Sequence, residues 1–143
     1  MRGVFDTVIL VRGLINPYSL CGRLLFDHSA SYELIISSAI VAEYLRVINR
    51  PELVRKYHEV ETRDLPAILE IVAKATVVQP VDTPAVCRDP GNDKFLAARV
   101  GSARFIVTED MDFLDLGSYY EGIQILRAEA FLLVLEAHGK TEG

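Results

Sequence analysis

Three short apolar runs in this chain end on, or lead straight into, an acid. Val4-Phe5 is followed by Asp6, and Phe105-Ile106-Val107 leads into Thr108-Glu109-Asp110-Met111-Asp112. Leu34-Ile35-Ile36-Ser37-Ser38 opens a segment that carries Glu43. Continuous β-branched and aromatic runs read as strands buried on both faces, as in a parallel sheet. In open α/β sheets, sites form outside the carboxyl ends of the strands. The pattern therefore gathers carboxylates at one sheet edge. Such a cluster is unstable unless shared protons or a cation neutralise it, which points to a divalent-metal site.

The segments between these runs carry helical spacing. A helix is expected from Tyr18 to about Ala30, with Leu20, Leu24, Leu25 and His28 in register. Ser37 or Ser38 caps the next one, whose apolar face is Ile40, Val41, Tyr44, Leu45 and Ile48, and Pro51 ends it. A charged stretch from Pro51 to Asp64 reads as solvated helix and turn, and Leu65 to Lys74 as a further helix. Thr76-Val77-Val78 and Ile123 to Leu126 add two strands. Short helices are expected over Lys94 to Val100, with a stop at Gly101, and over Ala128 to Ala137. Strands alternating with helices specify an α/β fold with a parallel sheet covered on both faces. The length of 143 residues suits one domain, residues 1–143.

Composition narrows the function classes. Half the residues are hydrophobic and the mean hydropathy is +0.23, yet no run approaches the roughly 18 apolar residues of a membrane span. The N-terminus lacks a signal-peptide layout because Asp6 interrupts it. A soluble, cytoplasmic protein with no membrane partner is expected. Cys21 and Cys87 fit no zinc motif and read as core residues, and His28, His58 and His138 show no metal-ligand spacing. A net charge of −5 argues against a nucleic-acid coat protein. It leaves room for a nuclease whose metal neutralises the acidic centre while local arginines hold phosphates.

Each acid also has an ordinary structural use. Asp6 can cap the following helical turn. Glu43 shares a helix face with Arg46 and Arg50 and can form a surface ion pair. Asp93, in Asp89-Pro90-Gly91-Asn92-Asp93-Lys94, stands at a helix start where the dipole favours a carboxylate. Three acids in four residues after Thr108 exceed what a turn needs, and the Thr108 hydroxyl can donate to a carboxylate or a metal-bound water.

Taken in order, four separated motifs resemble the PIN-domain nucleases, in particular the VapC-like toxin components of prokaryotic toxin–antitoxin pairs. They are Val4-Phe5-Asp6-Thr7 with Leu10-Val11, Glu43-Tyr44-Leu45-Arg46-Val47, Arg88-Asp89-Pro90 with Asp93-Lys94-Phe95-Leu96-Ala97, and Ile106-Val107-Thr108 with Asp110, Asp112, Phe113 and Leu114. The resemblance implies a three-layer α/β/α sandwich with a central parallel sheet of four to five strands. It implies catalytic and metal-holding acids at Asp6, Glu43, Asp93 and Asp110, with Thr108 and Asp112 in support. It also implies Mg²⁺ or Mn²⁺ as cofactor, an RNA substrate, a homodimer and a co-expressed antitoxin protein. Val8 stands where the family usually carries Asn, and Glu109 stands where a small residue is common, adding charge beside the site.

The activity so implied is metal-assisted hydrolysis of RNA phosphodiesters. Arg46, Arg50 and Lys94 are candidate phosphate contacts. A second class stays open through Val8: a catalytically impaired PIN-like module that binds RNA or protein. Haloacid-dehalogenase chemistry is disfavoured because it needs an acid at position 8, and neither Gly-x-Gly-x-x-Gly nor a phosphate-cradling Gly-x-x-x-x-Gly-Lys loop occurs.

Overall fold

A computed structural model describes residues 1–51, 66, 69–80, 87, 89–98 and 103–142. Six strands form one sheet: β1 (Arg2–Phe5), β2 (Glu33–Ile36), β3 (Thr76–Val77), β4 (Phe105–Val107), β5 (Tyr119–Tyr120) and β6 (Ile123–Leu126), in the order β3-β2-β1-β4-β6-β5. All neighbours are parallel except β5 with β6. The five parallel strands lie where the apolar runs predict them. The sixth, β5, was not expected. It turns back through Glu121 and Gly122, both at positive φ (44° and 89°), and a two-residue turn of this kind matches the twist of a hairpin.

The helices are α1 (Thr7–Ile15), α2 (Leu20–Gly22), α3 (Ser38–Ile48), α4 (Asp93–Ala97), α5 (Met111–Leu114) and α6 (Ala128–Glu142). The single helix expected from Tyr18 to Ala30 is instead segmented. After α2 the chain widens into a π turn over Arg23–Asp27, then tightens to a 3₁₀ turn over Ser29–Ser31. The i→i+5 bond from the His28 N–H to the Arg23 carbonyl defines the wide turn. Residues 69–74 are helical, as part of the Leu65–Lys74 segment was expected to be. The charged stretch at 52–64 and the stop at Gly101 lie outside the described residues.

Parallel strands buried on both faces explain the core. Phe5, Ile35, Ile106 and Val107 are fully buried, with Ile9, Leu24, Ile40 and Phe131 from the helices packed against them. Phe131 of α6 lies edge-on to Phe5 and Tyr32 (centroids 5.9 and 5.7 Å) and close to Phe105 (5.5 Å). This aromatic group anchors α6 across β1 and β4. Cys21 and Cys87 are free and buried. Among the described residues, no single helix is long and apolar enough to cross a membrane.

Candidate active site

The β1–β4 register decides where the first acid meets its neighbours. Val4 pairs with Ile106 and Phe5 with Val107, so the next residues, Asp6 and Thr108, emerge side by side at the carboxyl edge. The Asp6 N–H extends the ladder to the Val107 carbonyl (3.1 Å). Its side chain caps α1, with Oδ1 accepting from the Val8 N–H at 2.6 Å. Oδ2 accepts from the Thr108 hydroxyl at 2.5 Å, and the Thr108 oxygen accepts in turn from the Asp110 N–H at 2.9 Å. Thr108 has no solvent exposure and Asp6 only 4%. Burial pushes the Asp6 carboxyl above its usual range, against the lowering effect of the bonds from Thr108 and Val8, and the charges of Asp110 and Glu43 push it further. The charges of Asp110 and Glu43 thus both bear on Asp6.

Asp110 caps α5 by accepting from the Asp112 N–H on Oδ1 (2.9 Å). The Asn92 amide spans the gap to the loop before α4, donating to Asp110 Oδ2 at 3.3 Å and Asp112 Oδ2 at 3.0 Å. Asp112 Oδ2 also accepts from the Asp89 N–H (3.0 Å). Asp89 caps the 3₁₀ turn Pro90–Asn92 through the Gly91 N–H. Asp93 opens α4 and is buried, with Oδ1 accepting from the Cys87 N–H at 2.7 Å. The Cys87 thiol is pushed up to about 12, first by burial, then by its bond to Asp93 and by the charges of Asp93, Asp112 and Asp110. It stays a protonated thiol, not a nucleophile.

Glu43 arrives from α3, which Tyr44 ties to the end of β1 through a 2.5 Å bond from its hydroxyl to the Phe5 carbonyl. Both Glu43 oxygens are engaged. The Thr7 hydroxyl donates to Oε2, and the Lys94 ammonium lies 2.7 Å from Oε1. Arg46 approaches Oε1 less closely, at 3.7 Å, from a largely exposed position. Lys94 also lines a hollow with Ser37, Ser38, Gln79 and Pro80. Arg50 is exposed at the end of α3. Glu109 does not crowd the site. It turns toward α6, pairing with Arg127 (2.8 Å) and accepting from the Ala128 N–H (3.2 Å).

Thr7 and Asn92 are site residues that the sequence reading passed over. Asn92 stands just before α4, a position that suits a cap, yet its side chain makes no cap bond. The donors are hard carboxylate oxygens with excess negative charge, which suits a hard divalent cation. Among the described residues, no three Asp, Glu, Cys or His side chains come close enough to hold one ion by themselves. Mg²⁺ in particular is commonly held by one or two carboxylates, with waters and substrate phosphate oxygens completing its shell.

A family profile for the PIN domain matches residues 2–112. This chain belongs to the PIN domain family. An uncharacterized protein of Methanocaldococcus jannaschii, MJ1680, is 30% identical to this PIN domain over 118 residues, covering 81% of this chain and 75% of the relative. Among solved structures, a chain of VapBC2 from Rickettsia felis, crystallised with a DNA fragment from its promoter, shares the fold. Its TM-score is 0.54 at 14% identity, with 87% of this chain and 97% of that chain covered.

Proposed function

We propose that this PIN domain is a metal-dependent endoribonuclease, the toxin of a toxin–antitoxin pair. The observation that carries the reading is Asp6: a buried carboxylate at the end of β1, held by Thr108 and pressed by the charges of Asp110 and Glu43. A carboxylate kept charged there calls for a cation. Asp6 and Asp110 would hold Mg²⁺ or Mn²⁺, with Asp93 as a further donor and Asp112 supporting Asp110 through Asn92. When bound, the ion supplies a water of lowered pKa and positive charge for the phosphate.

The chain's own residues do the rest. Thr108 and Val8 fix both Asp6 oxygens, so the carboxylate cannot rotate away. Thr7 and Lys94 fix Glu43, which keeps a second lone pair on each oxygen to orient a water. Arg46, exposed on α3, and Arg50, exposed just beyond its end, would meet the phosphate backbone. The fold shared with a VapBC2 chain supports an antitoxin partner that covers this edge, and the protein would assemble as a homodimer.

The test is cleavage of mixed RNA and DNA pools with Mg²⁺, with Mn²⁺ and with chelator, wild type beside Asp6→Asn. The expected result is RNA cutting that needs metal and is lost in the variant, a fall of about 10³-fold or more if Asp6 positions the ion. Metal binding without cutting of either pool would support the impaired binding module instead. Cutting that survives both chelator and Asp6→Asn would overturn the proposal.

A further inference from the structure

The Lys94 ammonium lies against Glu43, 2.7 Å from Oε1, and both partners are largely shielded from water: the side chains are 23% and 12% exposed. The other Glu43 oxygen is taken by the Thr7 hydroxyl. Lys94 is the second residue of α4, and its ammonium also lies 5.9 Å from the Phe95 ring centre. A divalent ion on Glu43 Oε1 would be forced against this positive charge in a poorly screened place, which is strongly unfavourable. On the other side of the cluster the balance is reversed. Asp6 is opposed first by the charge of Asp110 and less by that of Glu43, and its donors among the described residues are neutral, the Thr108 hydroxyl and the Val8 N–H.

From this asymmetry we propose that Lys94 is the built-in second cation of the site. The acids take up one divalent ion, on the Asp6–Asp110 side. Lys94 neutralises Glu43 and serves as a positioning residue that holds its carboxylate in a fixed direction. The inference rests on the metal-dependent reading above and adds the ion count and the role of Lys94. In a site with two ions, Glu43 would be a metal ligand; here it is a partner of lysine.

The test counts Mn²⁺ bound per folded chain, by calorimetric titration and by electron paramagnetic resonance of the free ion. It compares wild type with Lys94→Met, Lys94→Arg, Glu43→Gln and Asp6→Asn, each checked for folding by circular dichroism. Wild type is expected to bind one ion, Lys94→Met two, and Lys94→Arg one again. Glu43→Gln should keep the single ion with its affinity within about threefold, since Glu43 is paired with Lys94 and is the smaller of the two charges acting on Asp6. Asp6→Asn should lose the ion. Two ions in the wild type, an unchanged count and affinity in Lys94→Met, or loss of the ion in Glu43→Gln would each overturn the proposal while leaving the metal-dependent reading intact. If Lys94→Met does not fold, Glu43→Gln decides. No ion in the wild type would instead remove the metal-dependent reading, and this inference with it.

Discussion

Asp6 ends β1, caps α1 and carries a charge opposed by burial and by two nearby carboxylates. Its pKa in the folded chain lies above the ordinary 3.8, so the native state holds this proton to higher pH than the unfolded chain does. The stability tied to it is full below the unfolded value and is lost as pH rises through the folded value. Asp6→Asn removes that loss. In urea unfolding over a pH series, the variant is expected to show a flatter dependence through the acid range, with an offset because its single amide oxygen can accept only one of the bonds from Val8 and Thr108. Glu33 works in the opposite sense: Thr76 and Arg2 lower its pKa, so its contribution is present above 4.5 and lost as pH falls through the lowered value. Thr108→Val keeps the shape but deprives Asp6 Oδ2 and the Asp110 N–H of their partner. A loss of about 1–3 kcal/mol in urea unfolding is expected for such an orphaned buried group. The Asp6–Thr108 pair was legible because both follow apolar runs directly. The Lys94–Glu43 pair was not, because sequence shows two opposite charges 51 residues apart but not which surfaces α3 and α4 turn to each other. Glu109 misled for the same reason: its partner, Arg127, lies beyond β6.

At the scale of elements, the strands were the most readable part, since a fully buried parallel strand leaves a continuous apolar run. The hairpin that adds β5 escaped notice because Glu121 replaces the usual Asn or Asp before Gly122 in a turn that needs positive φ twice. The segmentation after α2 was also hidden. Leu20, Leu24 and Leu25 satisfy helical spacing whether the chain closes four- or five-residue turns. Gly22, the last residue of α2, packs closely: an added Cβ would lie 2.4 Å from the Pro17 carbonyl carbon and oxygen. Gly22→Ala must push α2 away from the Asn16-Pro17 turn. We expect a loss of about 1–3 kcal/mol, the range for an overpacked contact, read as a lower urea midpoint with an unchanged slope. The N-cap of α3 was expected at Ser37 or Ser38, and it is Ser37, which accepts from the Ile40 N–H at 3.3 Å.

For the molecule as a whole, the sheet separates two ends of different character. At the amino edge Arg2, Glu33 and Thr76 pair among themselves. At the carboxyl edge Asp6, Asp110, Asp112, Asp93 and Glu43 gather with Lys94, Asn92, Thr7 and Thr108 as their nearest supports. That Asp6, Thr108 and Asp110 meet at this edge was legible because the parallel strands β1 and β4 end side by side. How each acid is satisfied was not, because that depends on side-chain reach across elements. A ligand that binds only the folded state stabilises it by RT ln(1 + [L]/Kd), about 2.7 kcal/mol at a hundredfold excess over Kd. Mg²⁺ or Mn²⁺ is therefore expected to raise the thermal midpoint of wild type, and to leave that of Asp6→Asn where it was. The most direct measurement is anomalous scattering from a crystal soaked in Mn²⁺. The expected result is a single peak within ligand distance of Asp6 and Asp110, with Lys94 still on Glu43. An ion bound away from both aspartates, or no ion at saturating Mn²⁺, would contradict the account.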